Sequence, residues 1–375
     1  MIAEKTELAA YYFPQYHADP RNDVIHYPGW SEWELVKNSK PRFPGHQQPK
    51  VPLWGYEDEA DPKVMARKID AAADHGLAGF LFDWYWYDGP YLQRALDEGF
   101  LQAENQHELK FALMWANHDW YDRHPINRDI FNQKMLYKWS STRENIGGVW
   151  DMLIEKYLLR DNYWQVDGSP YFSIYATNRF IKQMGGVDEA AEVLADFRDR
   201  AKKAGLPGLH LNAVWYDNLD SQPSSPCPYA DWVKKVGFDS YTSYNCMFDH
   251  PLWNSSLQVT YRQSNEAYLG LAHKAFTTLP APYFPVVTAG WDSSPRTTQS
   301  DRYELLGYPW LPVMESDPEA FGELLEKLAA YHPQTIFVNA WNEWTEGSYL
   351  EPDDRIGMAL LEKIKNFKDK LQESK

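Results

Sequence analysis

No stretch of the 375 residues is apolar for long enough to span a bilayer. The opening residues, Met1 to Thr6, hold none of the apolar run that a secretory leader needs. The expected location is therefore the cytoplasm, unless a leader has been removed. Cysteine is scarce. Cys227 and Cys246 are the only two, which excludes a disulfide framework and a zinc quartet of thiolates, and both are expected as small apolar core residues. Positive charge is also short: 37 Lys and Arg face 53 Asp and Glu, a net charge of −16. Nucleic acid and anionic lipid both need a basic face, so neither is an expected partner.

Several chemical fingerprints are missing as well. No Gly-x-Gly-x-x-Gly follows an apolar run, and no Gly-x-x-x-x-Gly-Lys-Ser/Thr occurs, so a dinucleotide or nucleotide-phosphate cradle is not expected. There is no His-Glu-x-x-His, no calcium loop and no Asp-x-Asp pair. Asp353-Asp354 reads as a solvated turn before the final helix. No cofactor and no metal is called for.

Aromatic residues, in contrast, are abundant at 16%, with 17 Trp and 25 Tyr. A core can absorb many of them, but buried Trp needs a partner for its N–H, so part of this set is expected along a groove. Flat aromatic faces stack on the apolar faces of sugar rings, which points toward carbohydrate.

Short apolar runs recur eight times, at 8–13, 78–83, 110–115, 171–175, 209–214, 239–244, 284–289 and 335–339. Helical patterns lie between them. One starts at Asp61-Pro62, presents Val64, Met65, Ile69 and Ala72 on one face, and stops at Gly76. Others run from Asp188 to near Gly205, after Asp317-Pro318, and through Ile356, Leu360, Ile364 and Phe367. Eight strand-then-helix units predict an α/β fold, a (β/α)8 TIM barrel, with residues 1–375 as a single domain. The long connections at about 18–60, 116–143 and 245–280 are expected as functional barrel loops.

A barrel of this kind carries its active site at the C-terminal ends of its strands. There this sequence places aromatic and polar residues together: Tyr12 to His17, Asp83 to Tyr87, Trp115 to Trp120, Trp215-Tyr216-Asp217, Tyr244-Asn245, Trp291-Asp292, and Asn339 to Glu346. The pattern predicts a polar cleft walled by aromatics. Glu343 and Glu346 lie just beyond the last strand. If the chain turns helically, their Cβ atoms lie roughly 5–6 Å apart. Glycosidic cleavage needs one protonated and one ionised carboxyl, and mutual repulsion of close carboxylates raises one pKa. A separation far beyond about 10 Å would rule out a shared anomeric centre. A solvated loop, or a pair to an arginine, is the plainer alternative for any Glu-x-x-Glu.

Further substrate contacts are expected among Tyr12, Gln15, His17, Asp83, Asn117, His118, Asp119, Tyr244, Asn339 and Tyr349. Each also has a plain structural role open to it, such as an Asx turn for Asn117 and Asp119. Asp292 either faces substrate or pairs with Arg296, and Glu32 either lines the cleft or caps a helix. Trp84, Trp86, Trp115, Trp215, Trp291 and Trp341 are candidate stacking platforms, with core packing as the competing role.

These motifs resemble glycoside hydrolase family 99 and the larger bacterial group of family-99-like proteins, many associated with polysaccharide biosynthesis. The resemblance runs in order through Tyr12-Phe13-Pro14-Gln15-Tyr16-His17, Gly29-Trp30-Ser31-Glu32-Trp33, Pro41 to Pro49, Gly79 to Trp86, Trp115-Ala116-Asn117, Gly290-Trp291-Asp292 and Pro295-Arg296. It ends in Trp341-Asn342-Glu343-Trp344-Thr345-Glu346-Gly347 and Tyr349-Leu350-Glu351-Pro352, the most specific block. It implies a (β/α)8 barrel and, for family 99 proper, retaining endo-cleavage of α-mannosidic bonds. By resemblance Glu343 is the base toward the sugar 2-hydroxyl, which attacks the anomeric carbon to give a 1,2-anhydro sugar. Glu346 then protonates the leaving oxygen and later activates water. The group often reads Trp-Ala-Asn-Glu-Asn-Trp where this chain has Trp115 to Trp120 with His118 and Asp119, a departure that bears on glycan specificity. A glycosyltransferase of polysaccharide assembly and a non-catalytic glycan-binding barrel are the competing functions.

Overall fold

The computed structural model describes residues 6–126, 133–215, 229–247, 256–300 and 312–373. Tyr216, Asp217 and Cys227 fall outside them.

Eight parallel strands form the barrel: β1 (Glu7–Tyr12), β2 (Gly79–Trp86), β3 (Lys110–Trp115), β4 (Ser169–Ile174), β5 (His210–Val214), β6 (Ser240–Thr242), β7 (Tyr283–Phe284 and Val286–Thr288) and β8 (Thr335–Asn339). Each pairs with the next, from β1↔β2 through β5↔β6. β8 returns to β1 in register Ala9↔Phe337. Closure runs through β7, whose first half pairs with β6 and whose second half pairs with β8. Pro285 separates the halves; it has no N–H to donate, but its carbonyl still accepts from Phe337 N at 2.8 Å. Gly79 is required where β2 meets β3, because a Cβ there would lie 2.7 Å from the Lys110 carbonyl oxygen.

The strands follow from their sequences, as apolar and aromatic runs buried on nearly every residue. Tyr11, Tyr171, Phe284 and Phe337 pack on one another or on His210, filling the space the ring encloses. Outer helices start where their caps dictate. Asp61 accepts from Lys63 N ahead of Pro62–Asp74, and Asp317 accepts from Ala320 N ahead of Pro318–Ala329. Val187–Lys203 and Ala359–Glu373 fill the other two expected positions. Ile356 precedes the last helix rather than lying in it.

The long connections are more structured than loops. The second half of 245–280 is a helix, Tyr261–Thr278, started by a capping box between Thr260 and Gln263. The 18–60 connection holds short helices at Pro20–Ile25 and Trp33–Asn38, and 116–143 carries a small hairpin, Trp120–Tyr121 against Met135–Tyr137. No helix among the described residues is long and apolar enough to cross a membrane.

Candidate active site

The segment after β8 is anchored by the side chains of Trp341, Asn342 and Trp344. Trp341 Nε1 and Trp344 Nε1 donate to the two oxygens of Glu351, at 2.9 and 2.6 Å. Asn342 clamps Phe13, accepting from its N–H at 2.7 Å and donating to its carbonyl at 2.8 Å. It also donates to Glu59 at 2.9 Å. Lys68 lies 2.5 Å from both Glu59 and Glu351, so this buried acidic floor is paired. Asn342–Glu343 pairs with Ser348–Tyr349, and a 3₁₀ turn, Trp344–Glu346, joins them through Gly347 at φ 62°. A Cβ at Gly347 would lie 2.7 Å from the backbone nitrogen of Asp292, so glycine is needed there twice over. With Trp341, Asn342 and Trp344 turned into the body, Glu343 and Glu346 face a cavity of about 290 Å³ at the C-terminal ends of the strands.

Arg296, in a 3₁₀ turn beyond β7, joins the two acids. Its Nη1 donates to Glu346 Oε1 at 2.6 Å and its Nη2 to Glu343 Oε2 at 3.3 Å. Two oxygens bound to one guanidinium are at most about 8 Å apart, within the range of a shared anomeric centre. Arg296 Nε donates to Thr345, its Nη2 lies 3.7 Å from Glu32, and its guanidinium sits over the Phe13 ring. Glu32 in turn accepts from Thr345 Oγ1 at 2.5 Å and pairs with His124 at 2.9 Å.

These contacts decide the charges. Burial raises the pKa of Glu343 and that of Glu346; the charge of Glu346 adds to the rise at Glu343, and Arg296 opposes both. Burial also pushes Asp83 well above the usual carboxylate range, against the hydrogen bond from Tyr244. Glu32 goes the other way: burial opposes ionisation, but Arg296 and His124 outweigh it and hold the carboxyl low. Burial lowers the pKa of His118 and so favours its neutral imidazole. Asp119, despite its burial, is held low by Arg179 and the Trp139 amide.

Of the residues expected at the site, the cavity brings together Asp83, His118, Asp119, Tyr244 and Trp291 with Glu343 and Glu346. The others are placed elsewhere among the described residues. Tyr12 packs on Phe80 and Phe82, and Gln15 is fully buried. His17 bonds to the Ala18 and Leu92 carbonyls. Asn117 staples the β4 end through both Ala176 backbone groups. Trp84 stacks on Trp86 and meets Trp115 edge-on, while Trp215 packs against Tyr283. Asn339 accepts from Ser348, Trp341 is tied to Glu351, and Tyr349 stacks on Trp344 with its hydroxyl on Asp353. Glu32 sits behind Arg296 rather than on the cavity surface. Asp292 takes neither expected position: it accepts from His46 at 2.7 Å, Gln48 at 2.6 Å and Ser294 N at 3.0 Å, not from Arg296.

The cavity also holds Phe13, Tyr85 and Trp120 from the expected strand-end clusters, Arg296, and four residues not named from the sequence: Tyr121, Arg123, His124 and Tyr175. Tyr85 was detectable, since it shares a strand face with Asp83 at spacing two. Arg296 lay in the Pro295-Arg296 block of the resemblance but was expected only as a partner of Asp292, and His124 comes from a distant connection with no local signal. No group of three or more His, Cys, Asp or Glu among the described residues is arranged to hold a metal ion.

Residues 8–364 match the family described as Glycosyltransferase WbsX. The chain belongs to that family. The structure of a GH99 endo-α-mannosidase from Bacteroides thetaiotaomicron aligns with this WbsX-family chain over 100% of its length and 99% of the other's, with a TM-score of 0.63 and 10% identity. A second, a glycoside hydrolase-like protein, aligns over 98% and 95%, with a TM-score of 0.61 and 13% identity. At such identities the likeness establishes the fold, and it meets the family-99-like resemblance read from the motifs. By sequence the chain is 28% identical to the uncharacterized protein WxcX of Xanthomonas campestris pv. campestris, over 95% of this chain and 48% of that protein. The WbsX-family chain thus spans about half the length of the curated relatives it matches.

Proposed function

We infer that this barrel is the catalytic domain of a glycoside hydrolase acting on an oligo- or polysaccharide, with Glu343 and Glu346 as its working pair. The observation that carries the reading is the shared guanidinium of Arg296, which sets two buried carboxyls of raised pKa side by side on the cavity surface. Retention through the substrate 2-hydroxyl fits their surroundings. Glu343 takes hydrogen bonds from Tyr244 and Arg296, which favour its ionised form, and its raised pKa makes it a stronger base toward a weakly acidic hydroxyl. Glu346 leaves Oε2 buried and without a partner among the described residues, a setting that favours the protonated acid needed at a leaving oxygen. The aromatic wall of Phe13, Tyr85, Trp120, Tyr121, Tyr175 and Trp291 suits sugar faces. His118 and Asp119 are then the polar contacts to hydroxyls.

The family's description as a glycosyltransferase favours a second reading, transfer from an activated sugar. One experiment separates the two. The protein is incubated with bacterial and yeast glycans, with and without nucleotide sugars, and new reducing ends are followed by NMR. The hydrolase reading expects cleavage without nucleotide and retained anomeric configuration. Product formed only with a nucleotide sugar favours transfer, and an inverted product overturns the 2-hydroxyl route.

A further inference from the structure

The hydroxyl of Tyr244 lies between two buried carboxyl groups, 2.8 Å from Glu343 Oε1 and 3.1 Å from Asp83 Oδ2. A phenol carries one proton and donates one hydrogen bond. Were both carboxyls ionised, one would set an anionic oxygen against the lone pairs of Tyr244 with no hydrogen between them, in a site shielded from water. One of the two must therefore carry a proton of its own and donate it to the phenolic oxygen.

The surroundings decide which. Glu343 has a cation in contact, Arg296 Nη2 at 3.3 Å. Asp83 has none among the described residues, and its Oδ1 is buried without a hydrogen-bond partner. The groups that face Asp83 are Tyr11 from β1, Tyr85 from its own strand, Tyr244 after β6, Arg296 after β7, and Glu343 and Glu346 after β8. His118 and Asp119, beyond β3, line the same cavity. An ionised carboxylate with one orphaned oxygen is costly there, whereas a neutral acid asks only for an acceptor.

We propose that Asp83 is a neutral acid that donates to Tyr244, which in turn donates to Glu343, so that two hydrogen bonds in series hold Glu343 ionised and occupy its Oε1. Asp83 is thus a positioning residue, acting on Glu343 through Tyr244. No bond is made or broken in this arrangement: one proton stays on Asp83 Oδ2 and one on the Tyr244 oxygen. A proton taken from substrate goes to Glu343 Oε2, the oxygen that Tyr244 does not touch. Burial, which raises Asp83 above the ordinary carboxylate range, acts in the same direction.

The inference rests on Glu343 as the base, but its test needs no substrate, so a failure of hydrolysis and a failure of this arrangement are told apart. Infrared spectra of the intact protein at neutral pH are compared for wild type, Asp83→Asn, Glu343→Gln and Tyr244→Phe. A protonated-carboxyl carbonyl band is expected in wild type, reduced by Asp83→Asn and retained in Glu343→Gln. Tyr244→Phe keeps the ring that packs on Tyr11 and Tyr175 but removes the acceptor, so the band should move to higher frequency. That shift tests the arrangement even where Asp83→Asn does not fold. A band unchanged by Asp83→Asn, lost in Glu343→Gln, or unmoved by Tyr244→Phe overturns the proposal.

Discussion

Arg296 donates through Nη1 to Glu346 Oε1 at 2.6 Å, from a turn fifty residues earlier in the chain. The same guanidinium reaches Glu343 and Glu32, so one cation offsets three buried acids. Removing it takes the cation from Glu343 and Glu32, and losing one partner of a buried pair costs about 3–5 kcal/mol. Arg296→Met is expected to lower the stability measured by urea unfolding at pH 7 on that scale. Because Arg296 holds the Glu32 pKa down, the Glu32 share of this stability is present above the unfolded pKa and lost as pH falls through the folded one. The gap between variant and wild type should therefore narrow below about pH 4. A gap that stays constant with pH would contradict the pairing.

Glu343 has the opposite sign. Its folded-state pKa is raised, so ionising it costs stability as pH climbs from the unfolded value through the folded one. Glutamine does not ionise, and Arg296 keeps Glu346 and Glu32 as partners. Glu343→Gln is expected to raise Tm by a few degrees at pH 8 and by nothing measurable at pH 4, while activity is lost. A lower Tm at pH 8 would show that Glu343 is a net stabilising charge.

Asp292 is the structural counterpart of this pair. Although burial alone would raise it, hydrogen bonds from His46 and Ser294 and the charges of His46 and Lys50 hold it at about 2. Compared with an ordinary Asp, that contributes about 2 kcal/mol, fully present above about pH 4 and lost as pH falls through about 2. His46→Ala should destabilise the protein clearly at pH 7 and much less at pH 2, as read by urea unfolding. Equal losses at both pH values would mean that His46 acts by packing alone.

Lys68 supports the site from below. Lys68→Met strands Glu59 and Glu351, the carboxylates to which Asn342, Trp341 and Trp344 are tied. The expected cost is about 3–5 kcal/mol, with a loss of near-ultraviolet circular dichroism from the two indoles. Unchanged stability and an unchanged aromatic signal would contradict the anchoring role.

The fold was legible because eight apolar runs and their intervening caps are local signals, and most strand limits fall within a residue or two of the runs. The mouth of the barrel was legible only in part, and strand periodicity explains much of the error. On β2, Asp83 and Tyr85 point into the cavity while Trp84 and Trp86 point away and stack on each other. Met114 of β3 and Ala116 just beyond it face the cavity, and Trp115 between them does not. Of the six candidate Trp platforms the cavity therefore takes Trp291, while Trp84, Trp86 and Trp115 take the core-packing alternative. The pairing of Arg296 with Glu343 and Glu346, and the arrival of His124 and Arg123, were out of reach for another reason. Arg296, His124 and Arg123 enter from turns and long connections whose path depends on packing between distant segments, and spacing along the chain does not encode it.

The most direct test of the account is kcat/KM for wild type, Glu343→Gln and Glu346→Gln on the glycan that the wild type cleaves. The account predicts that each substitution, made alone, lowers it by roughly a thousandfold or more, because each removes a proton-transfer group used in the transition state. Either variant within tenfold of wild type would contradict the assignment of the pair.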